Sequence, residues 1–398
     1  MRGDEGPQPG ASAAAISAVL GNDDLLREIL LRLGFPTTLI RAAAVAKRWL
    51  RHASDPAFLR LFRDRHPPAL VGFYIREALF PRLRFVPVSQ APELAAAVRR
   101  AGSITVTEEK FYIRDCRNGR LLCDLDCTGT SSHRQQSVLS PLHPTRGKLV
   151  VPPMPLREPY SAKLSPSFLP DEDGNGDTGA VEVLAIGTEL RVRLLTLQSG
   201  VWIVQSSSEI HVPQTVHVYG YILFASCLHH VCGKIYIAKS SEPRHILQLD
   251  MAAASCSILQ LPDGLTTDNF KLSRGENGSG LILVHAEGYL LSIWRLAANS
   301  DDVNGWELVY DRIPVREACN RHEDVTVIAV DDTIEFVFLG LKVSRAVICM
   351  HLRSRTEKAY DGMLKNMLFV DIFPFKMVWP PTFPALEEEN NQEVVPVE

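Results

Sequence analysis

The sequence predicts an α+β multidomain chain in which a small all-α helical module precedes a large all-β, propeller-like domain. Three observations lead to this prediction. Apolar residues recur at helical spacing between Asn22 and Pro68. From about Val71 to Ala385 the pattern changes to short strand-like runs separated by turn residues. Within that second region, a turn followed by an apolar strand recurs at intervals close to the length of a propeller blade.

The first helix of the module is predicted from a leucine-rich run that follows two aspartates. Asp23 or Asp24 can cap its N-terminus, because a short carboxylate accepts hydrogen bonds from unpaired backbone N–H groups. Gly34 and Pro36 end it, since neither residue continues a helix well. The apolar residues that recur at helical spacing along one face are Leu25, Leu26, Ile29, Leu30 and Leu33.

Two further helical segments follow in the module. Thr37 or Thr38 is expected to cap the first of them, and Asp55 followed by Pro56 predicts the start of another. Apolar positions in the first are Leu39, Ile40, Ala43 and Val45, leading to Trp49 and Leu50. The expected buried side of the last helix is formed by Phe58, Leu59, Leu61 and Phe62.

The module is too small to be comfortably stable alone. A unit of about 45 residues buries little surface, and isolated helices of this length are marginal. Its apolar content therefore predicts a packing partner, which is either the following domain or a second protein.

These residues resemble an F-box. F-box proteins carry an acidic cap, a Leu-rich helix, a Pro break, a Val-Cys-Lys-x-Trp stretch and an Asp-Pro-x-Phe-Leu helix. The branch that the sequence resembles most is that of plant, grass-type F-box proteins. It departs from their pattern at Gly21-Asn22, where a Leu-Pro pair is common, and at Ala46, where Cys is usual. Asn22 can still cap a helix. The matching residues are Asp23, Asp24, Leu25, Leu26, Glu28, Ile29, Leu30, Leu33, Pro36, Val45, Lys47, Trp49, Asp55, Pro56 and Phe58.

The resemblance implies a substrate receptor of an SCF-type cullin-RING ubiquitin ligase. The F-box would dock on a Skp-type adaptor and through it on a cullin scaffold, and the β domain would bind a target protein. Such a subunit needs no catalytic residue. A scaffold that delivers no substrate is the alternative, because both departures fall at positions that commonly touch the adaptor. The residues expected to dock, or to form the small core behind the docking surface, are Leu25, Leu26, Ile29, Leu33, Pro36, Leu39, Val45 and Trp49.

The β region carries five turn-plus-strand units separated by 68, 46, 55 and 44 positions. These intervals approach the ~40–50 residues of a propeller blade, although a sandwich or two smaller β domains would be an alternative. Only Pro92–Arg100 looks helical. The predicted strands are 104–106, 181–186, 190–197, 201–204, 216–224, 234–238, 281–284, 289–296, 333–339 and 346–352. The region resembles the propeller-type F-box-associated domain of plant proteins in residues 115–122, 141–145 with 151–153, 233–236, and 246–250 with 261–262.

Two stretches have the spacing of metal sites. Asp171 to Glu182 satisfies the EF-hand ligand spacing, but prolines precede it and a strand follows, so a solvated loop is expected over a lone calcium loop. Cys227 to Cys232 contains His229 and His230, which alternate along a strand and cannot readily converge. No catalytic motif is found, and we expect no metal or cofactor. An enzyme or small-ligand binder built on the β domain stays open, because fold does not fix function.

Composition supports an intracellular protein partner. The net charge of −4 argues against nucleic acid as a general partner. Nine Lys or Arg against five Asp or Glu between Asn22 and His66 suit an acidic protein surface. No apolar run reaches the ~20 residues that span a bilayer, and no secretory signal is evident. We therefore expect reduced cysteines, no membrane contact and a location in the cytoplasm and/or nucleus.

Expected boundaries are a disordered arm at 1–18, the F-box at 19–68, the β domain at 71–385 and an acidic disordered tail at 386–398.

Overall fold

The computed structural model divides the chain into two compact units. Among described residues, the first unit holds the chain up to Ala69, Gln90–Ala96 and the chain from Met377 onward, and the second holds Leu70–Ser89 and Ala97–Lys376. None of the described helices is both long enough and apolar enough to cross a lipid bilayer. The described residues are 9–77, 80–104, 111–126, 134–143, 148–151, 161–163, 167–169, 178–186, 189–198, 201–212, 228–238, 245–263, 265, 269–275, 280–296, 305–365 and 370–384.

The first unit is built from short helices. In chain order they are α1 Pro9–Gly21, α2 Asp23–Leu31, α3 Pro36–Ala43, α4 Lys47–Ala53 and α5 Pro56–Arg65. A 3₁₀ turn at Pro92–Leu94 leads directly into α6 at Ala95–Ser103, which agrees with the predicted helical stretch.

Two of the expected helix caps are wrong, and the caps expected at Asn22 and Asp55 are confirmed. Asn22 caps α2 in place of Asp23 or Asp24, and its side-chain oxygen accepts hydrogen bonds from the N–H groups of Asp24 and Leu25. Neither Thr37 nor Thr38 caps α3, which begins at Pro36 without a side-chain cap. Proline at the first helical position already has the backbone angle that the helix needs. Asp55 caps α5 as predicted.

The N-terminal arm differs from expectation over the part that the structure describes. Residues 1–18 were expected to be disordered, but α1 occupies Pro9–Gly21. Its sequence is rich in alanine, which has the highest intrinsic helix propensity. Residues 1–8 and the expected acidic tail at 386–398 lie outside the described residues.

The core of the first unit draws on both ends of the chain. Phe58 and Phe62 of α5 are fully buried against the leucines of α2 and α3. Trp379 is also buried in this core and stacks on Phe62, with ring centroids 6.0 Å apart and planes within 3°. Leu61 was expected in the core but is half exposed, because it lies about 100° around α5 from Phe62.

The second unit is a six-bladed β-propeller among the described residues, so the propeller prediction is confirmed over the sandwich alternative. Neighbouring strands in each blade are antiparallel. Blade 1 contains β1 Leu70–Glu77, β2 Phe80–Pro87 and β24 Val370–Lys376; blade 2 contains β3 Phe111–Arg117, β4 Arg120–Asp126, β5 Arg134–Leu139 and β6 Lys148–Val150; blade 3 contains β7 Ser161–Lys163, β8 Ser167–Phe168, β9 Thr178–Ile186, β10 Glu189–Gln198 and β11 Val201–His211.

The remaining blades each have four strands. Blade 4 contains β12 Leu228–Val231, β13 Lys234–Ala238, β14 Ile246–Asp250 and β15 Ser255–Leu259; blade 5 contains β16 Phe270–Arg274, β17 Leu281–Glu287, β18 Leu290–Leu296 and β19 Trp306–Pro314; blade 6 contains β20 Val325–Val330, β21 Phe336–Leu341, β22 Val347–His351 and β23 Thr356–Tyr360. Blade 1 closes the ring, because its strand β1 pairs with β24 from the far end of the chain.

Most predicted strands are present, and the exceptions have local causes. The strand predicted from Thr333 begins only at Phe336, because the Asp331 carboxylate accepts hydrogen bonds from the Thr333 hydroxyl and the Phe336 N–H and holds a turn there. Ile104 follows α6 directly, while residues 105–106 and 216–224 lie outside the described residues. A six-residue helix, α7 at Arg316–Arg321, is too short for the periodicity to predict.

A buried ionic cluster joins blade 1 to blade 6. The ammonium group of Lys376, at the end of β24, pairs with Asp331 and lies 3.6 Å from Asp332. It also donates a hydrogen bond of 2.6 Å to the Thr333 hydroxyl. Burial opposes the charged form, but the carboxylates of Asp331 and Asp332 keep the pKa of Lys376 above its ordinary value.

Replacement of Lys376 by Met is expected to destabilise the propeller. It leaves the buried Asp331 carboxylate without its cation, which costs about 3–5 kcal/mol in comparable buried pairs. The midpoint of urea unfolding measures this loss of stability. The exposed Lys342→Met is the control, with an expected change within about 0.5 kcal/mol. Equal unfolding midpoints for the two variants would contradict a stabilising role of the cluster.

Replacement of Trp379 by Ala is expected to destabilise the helical unit by about 3–5 kcal/mol, because it removes a large ring from a packed core. The helical circular dichroism signal and protease resistance of α1–α5 report this loss. The control is Trp306→Ala in β19 of the propeller, which leaves the helical core intact. Helices that are as resistant in Trp379→Ala as in the control would show that Trp379 does not support them.

Candidate docking surface

The structure sorts the eight residues expected for docking by their exposure. Leu26, Leu39 and Pro36 are buried and belong to the core of the helical unit. Leu33 and Trp49 are partly buried and pack against that core. The remaining three are exposed apolar side chains, to 46% for Leu25, 36% for Ile29 and 69% for Val45. We call these three the exposed apolar set.

Helix geometry explains why Leu25 is exposed while the adjacent Leu26 is buried. Leu25 and Ile29 are four positions apart on α2, so their side chains lie on one face. Leu26 and Leu30 face the core and are fully buried. Val45 lies between α3 and α4, where the chain turns. The set therefore presents branched apolar groups on the helical unit without contributing to its interior.

Arg48 of α4 holds the helix that carries Leu25 and Ile29. Its guanidinium donates hydrogen bonds of 2.6 Å to the Leu20 carbonyl and 2.8 Å to the Gly21 carbonyl at the end of α1. It also donates to Asp23 at the start of α2, with Nε 2.8 Å from Oδ1. A cation suits the carbonyl end of a helix and a carboxylate suits the amino end. One side chain thus joins three helices.

Of the two departures from the F-box pattern, the one at Gly21-Asn22 has a structural role in this chain. Where a Leu-Pro pair is common, Asn22 caps α2 and the Gly21 carbonyl binds Arg48. Ala46 precedes α4 as an exposed residue without a side-chain cap. The register of α2 is therefore set by Asn22.

The other end of α2 is tied to α5. The His66 Nε2 atom lies 2.8 Å from the Leu31 carbonyl oxygen. Arg27 forms an ion pair of 3.2 Å with Asp55, the cap of α5, and lies over the Phe58 ring. Burial opposes ionisation of Asp55, but the N–H groups of Phe58 and Ala57 and the Arg27 charge hold its pKa below the ordinary value. These contacts fix α2 at both ends.

The propeller contains a cavity of about 100 Å³ on its axis, lined by residues from all six blades. Arg117 of β3, His229 of β12 and Arg274 of β16 contribute to its wall. Burial and the nearby charges of Arg274 and Arg117 lower the pKa of His229 to about 3. The imidazole is therefore neutral at physiological pH. Sequence periodicity gave no signal for this cavity, because each blade supplies only a few residues.

His229 and His230, whose spacing resembles that of metal ligands, do not converge. His229 lines the axial cavity, whereas His230 follows it on β12, where successive side chains point to opposite faces. Within the part of the chain that the structure describes, no group of three or more His, Cys, Asp or Glu is placed to hold a metal ion. Cys227 and residues 171–177 lie outside that part. Glu182, the last oxygen ligand of the EF-hand spacing, is buried and pairs with Arg193.

Two cysteine thiols of blade 2 have raised pKa values and therefore stay protonated. Burial, with the negative charges of Asp115 and Asp332, raises the pKa of the Cys116 thiol well above its ordinary value. Burial and the Asp124 charge likewise raise the pKa of Cys123. A thiol attacks as the thiolate, so the raised pKa values disfavour a nucleophilic role for these two thiols.

Comparison with known proteins decides the family. The model of the family "F-box protein AT5G49610-like, beta-propeller" matches residues 112–383. The chain belongs to this family of F-box proteins. The F-box protein At5g07610 from Arabidopsis thaliana is 29% identical over 127 residues, which cover 31% of this chain and 29% of the relative. The chain thus aligns with less than a third of that relative's length.

Solved structures resemble the chain only distantly. A nidogen/laminin complex has a TM-score of 0.38 at 13% identity, covering 76% of this chain and 97% of the other. The β-propeller domain of Cps50 (Swd1) from Myceliophteria thermophila also has a TM-score of 0.38, at 10% identity, covering 75% and 88%. The resemblance to plant F-box proteins therefore rests on the family model and the Arabidopsis relative.

Replacement of Asp23 by Asn tests the link between α2 and α4. Hydrogen bonds from Arg48 and His52 lower the pKa of Asp23 below its ordinary value of 3.8. A carboxylate with a depressed pKa contributes stability above its unfolded-state pKa, and this stability is lost as the pH falls through the folded-state pKa. We therefore expect a lower melting temperature for Asp23→Asn at neutral pH, and a difference from the parent that shrinks below about pH 4.

Asp24→Asn is the matched control for this measurement, because it removes the same charge from the same first turn of α2. A melting temperature for Asp23→Asn no lower than that of Asp24→Asn at neutral pH would show that the bonds to Arg48 and His52 do not stabilise the unit.

Proposed function

We propose that this chain is the substrate-receptor subunit of an SCF-type cullin-RING ubiquitin ligase. Its helical unit docks on a Skp-type adaptor, and through it on a cullin scaffold, while the propeller binds a target protein. The observation that carries the proposal is the exposed apolar set on the helical unit of an F-box family member. The proposed location is the cytoplasm and/or nucleus.

The exposed apolar set supports docking on energetic grounds. Full burial of a Leu, Ile or Val side chain stabilises a complex by roughly 1.5–3 kcal/mol, and partly exposed residues contribute a fraction of that. Leu25 and Ile29 are held in place by bonds at both ends of α2, so little conformational entropy is lost when they are covered. The unit is therefore preorganised for a partner.

Charge favours an acidic partner for the same unit. Lys47 and Arg51 of α4 are exposed, and so are Arg60 and Arg63 of α5. Clustered surface charge steers association with an oppositely charged protein and raises its rate. An adaptor with an acidic docking surface fits this unit better than a neutral one.

A receptor subunit is expected to be non-catalytic, and the family description suggests the same role. The raised pKa of the Cys116 thiol and the neutral His229 in the axial cavity agree with it. Ubiquitin transfer would then be carried out by other subunits of the complex.

Co-expression with a plant Skp-type adaptor, followed by size-exclusion chromatography, tests docking. The parent chain should form a 1:1 complex. In the double variant Leu25→Asp, Ile29→Asp the interface would have to bury two unpaired charges, and affinity should fall at least about 100-fold. Both positions are exposed, so the helical unit should stay folded and keep its helical circular dichroism signal.

The control is Val201→Asp, Val343→Asp, which adds the same two charges at propeller positions that are 64% and 82% exposed. This variant should retain the complex. An intact complex with the Leu25, Ile29 variant would contradict docking through α2. If docking holds, a further test separates a receptor from a scaffold. For a receptor, ubiquitination of a target protein should require an intact helical unit, whereas a scaffold should support no such ubiquitination.

A further inference from the structure

We propose that the axial cavity of the propeller binds an oxyanion group, a carboxylate or a phosphate, between Arg117 and Arg274. This site lies wholly within the second unit and is separate from the exposed apolar set that supports adaptor docking. If the chain fails to bind the adaptor, the proposal of oxyanion binding is unaffected. If the cavity fails to bind an oxyanion, the proposal of adaptor docking is unaffected.

The size of the cavity limits what it can hold. Its volume of about 100 Å³ exceeds the roughly 10–15 Å³ that a single water molecule requires on this measure. A carboxylate or phosphate group fits this space. The occupant is therefore a small free anion, or one charged group that a larger molecule inserts along the axis.

Two guanidinium groups converge at the wall of the cavity. Arg117 Nη1 donates a hydrogen bond of 2.8 Å to the Phe168 carbonyl oxygen, and Arg274 Nη2 donates one of 3.2 Å to the same oxygen. Because both bonds end on one atom, the two cations are held side by side. Guanidinium groups are suited to carboxylate and phosphate, which they bind through two parallel hydrogen bonds.

Arg117 has a donor that the propeller leaves unused. Its Nε atom is buried and makes no hydrogen bond with any residue that the structure describes. The Asp332 carboxylate lies 3.9 Å from this nitrogen, which is an ion-pair distance but beyond a hydrogen bond. Buried polar groups are seldom left without a partner, so this N–H indicates an acceptor that enters the cavity.

Each of the three carboxylates that line the cavity faces a donor or a cation of the protein. Asp115 accepts hydrogen bonds of 2.7 Å from both the Ser167 hydroxyl and the Phe168 N–H. Asp331 pairs with the buried Lys376, and Asp332 lies 3.6 Å from the same ammonium group. The Arg117 Nε donor, in contrast, still lacks a hydrogen-bond acceptor among the described residues, which favours an entering anion over a cation.

Arg117 and Arg274 also affect the pKa values of two neighbouring groups. Burial and the charges of Arg274 and Arg117 lower the pKa of the His229 imidazole. Burial opposes ionisation of Asp332, but Lys376, Arg117 and Arg274 keep its pKa below the ordinary value. His229 stays neutral, so it can donate a hydrogen bond to an oxyanion without adding charge.

Isothermal calorimetry on the full chain tests the inference with two probes. One probe is inorganic phosphate, and the other is a short peptide with a free C-terminal carboxylate, compared with the same peptide amidated. At least one oxyanion probe should bind at or below about 10 mM, and Arg117→Gln should weaken that binding at least tenfold. Arg191→Gln is the control, because Arg191 is a surface residue of β10 that pairs with Glu209.

A second readout uses the unaltered protein, because Arg117 also holds the Phe168 carbonyl and its loss could disturb folding. The nuclear magnetic resonance signal of His229 should shift when the oxyanion is added. Binding of phosphate alone assigns the site to a free anion, and binding of the free but not the amidated peptide assigns it to a chain terminus. No heat and no shift at His229 with either probe would overturn the proposal, as would unchanged affinity in a folded Arg117→Gln.

Discussion

The pairing of β24 with β1 is the constraint on which the rest of the structure depends. It joins residues from the two ends of the propeller, as in the ion pair of Arg76 with Asp371 across 295 positions. Without it, blade 1 would be divided between the two ends of the propeller, and an open edge strand would be a site for non-specific pairing. The buried Lys376 strengthens the closure by joining the end of β24 to Asp331 of blade 6. Contacts this distant in sequence carry a large loop-closure cost, so they form only with the whole ring.

Ring closure also brings together the residues of the axial cavity. The axial cavity exists because the six blades each place residues on one axis, so that Arg117 of blade 2 and Arg274 of blade 5 reach the same carbonyl oxygen of blade 3. After β24, the chain supplies Trp379 to the core of the helical unit. A core built on short helices alone would be small, and the Trp379 ring enlarges it.

Local pattern predicted the elements well where a single face or cap decides them. Asp55 before Pro56 marked the start of α5, and the runs at 181–186 and 234–238 correspond to β9 and β13. Sequence pattern predicted caps and strand ends less reliably where a side chain hydrogen-bonds to another part of the chain. Asn22 rather than Asp23 caps α2, because Asp23 is engaged by Arg48 and His52 of α4. Thr333 lies in a turn and outside β21, because the Asp331 carboxylate binds its hydroxyl. These partners are distant in sequence or depend on a buried charge.

The sequence by itself determined the kind of each unit, since helical and strand periodicity and the F-box constellation are properties of neighbouring residues. It also indicated the set of eight residues among which the docking contacts are proposed. Only the tertiary structure decided that Leu25, Ile29 and Val45 are exposed while Leu26 and Leu39 are core. It alone placed Trp379 on Phe62 and gathered Arg117, His229 and Arg274 around one cavity. The physical reason is that periodicity records which face of an element is apolar, whereas burial of a particular side chain depends on contacts that form when distant segments meet.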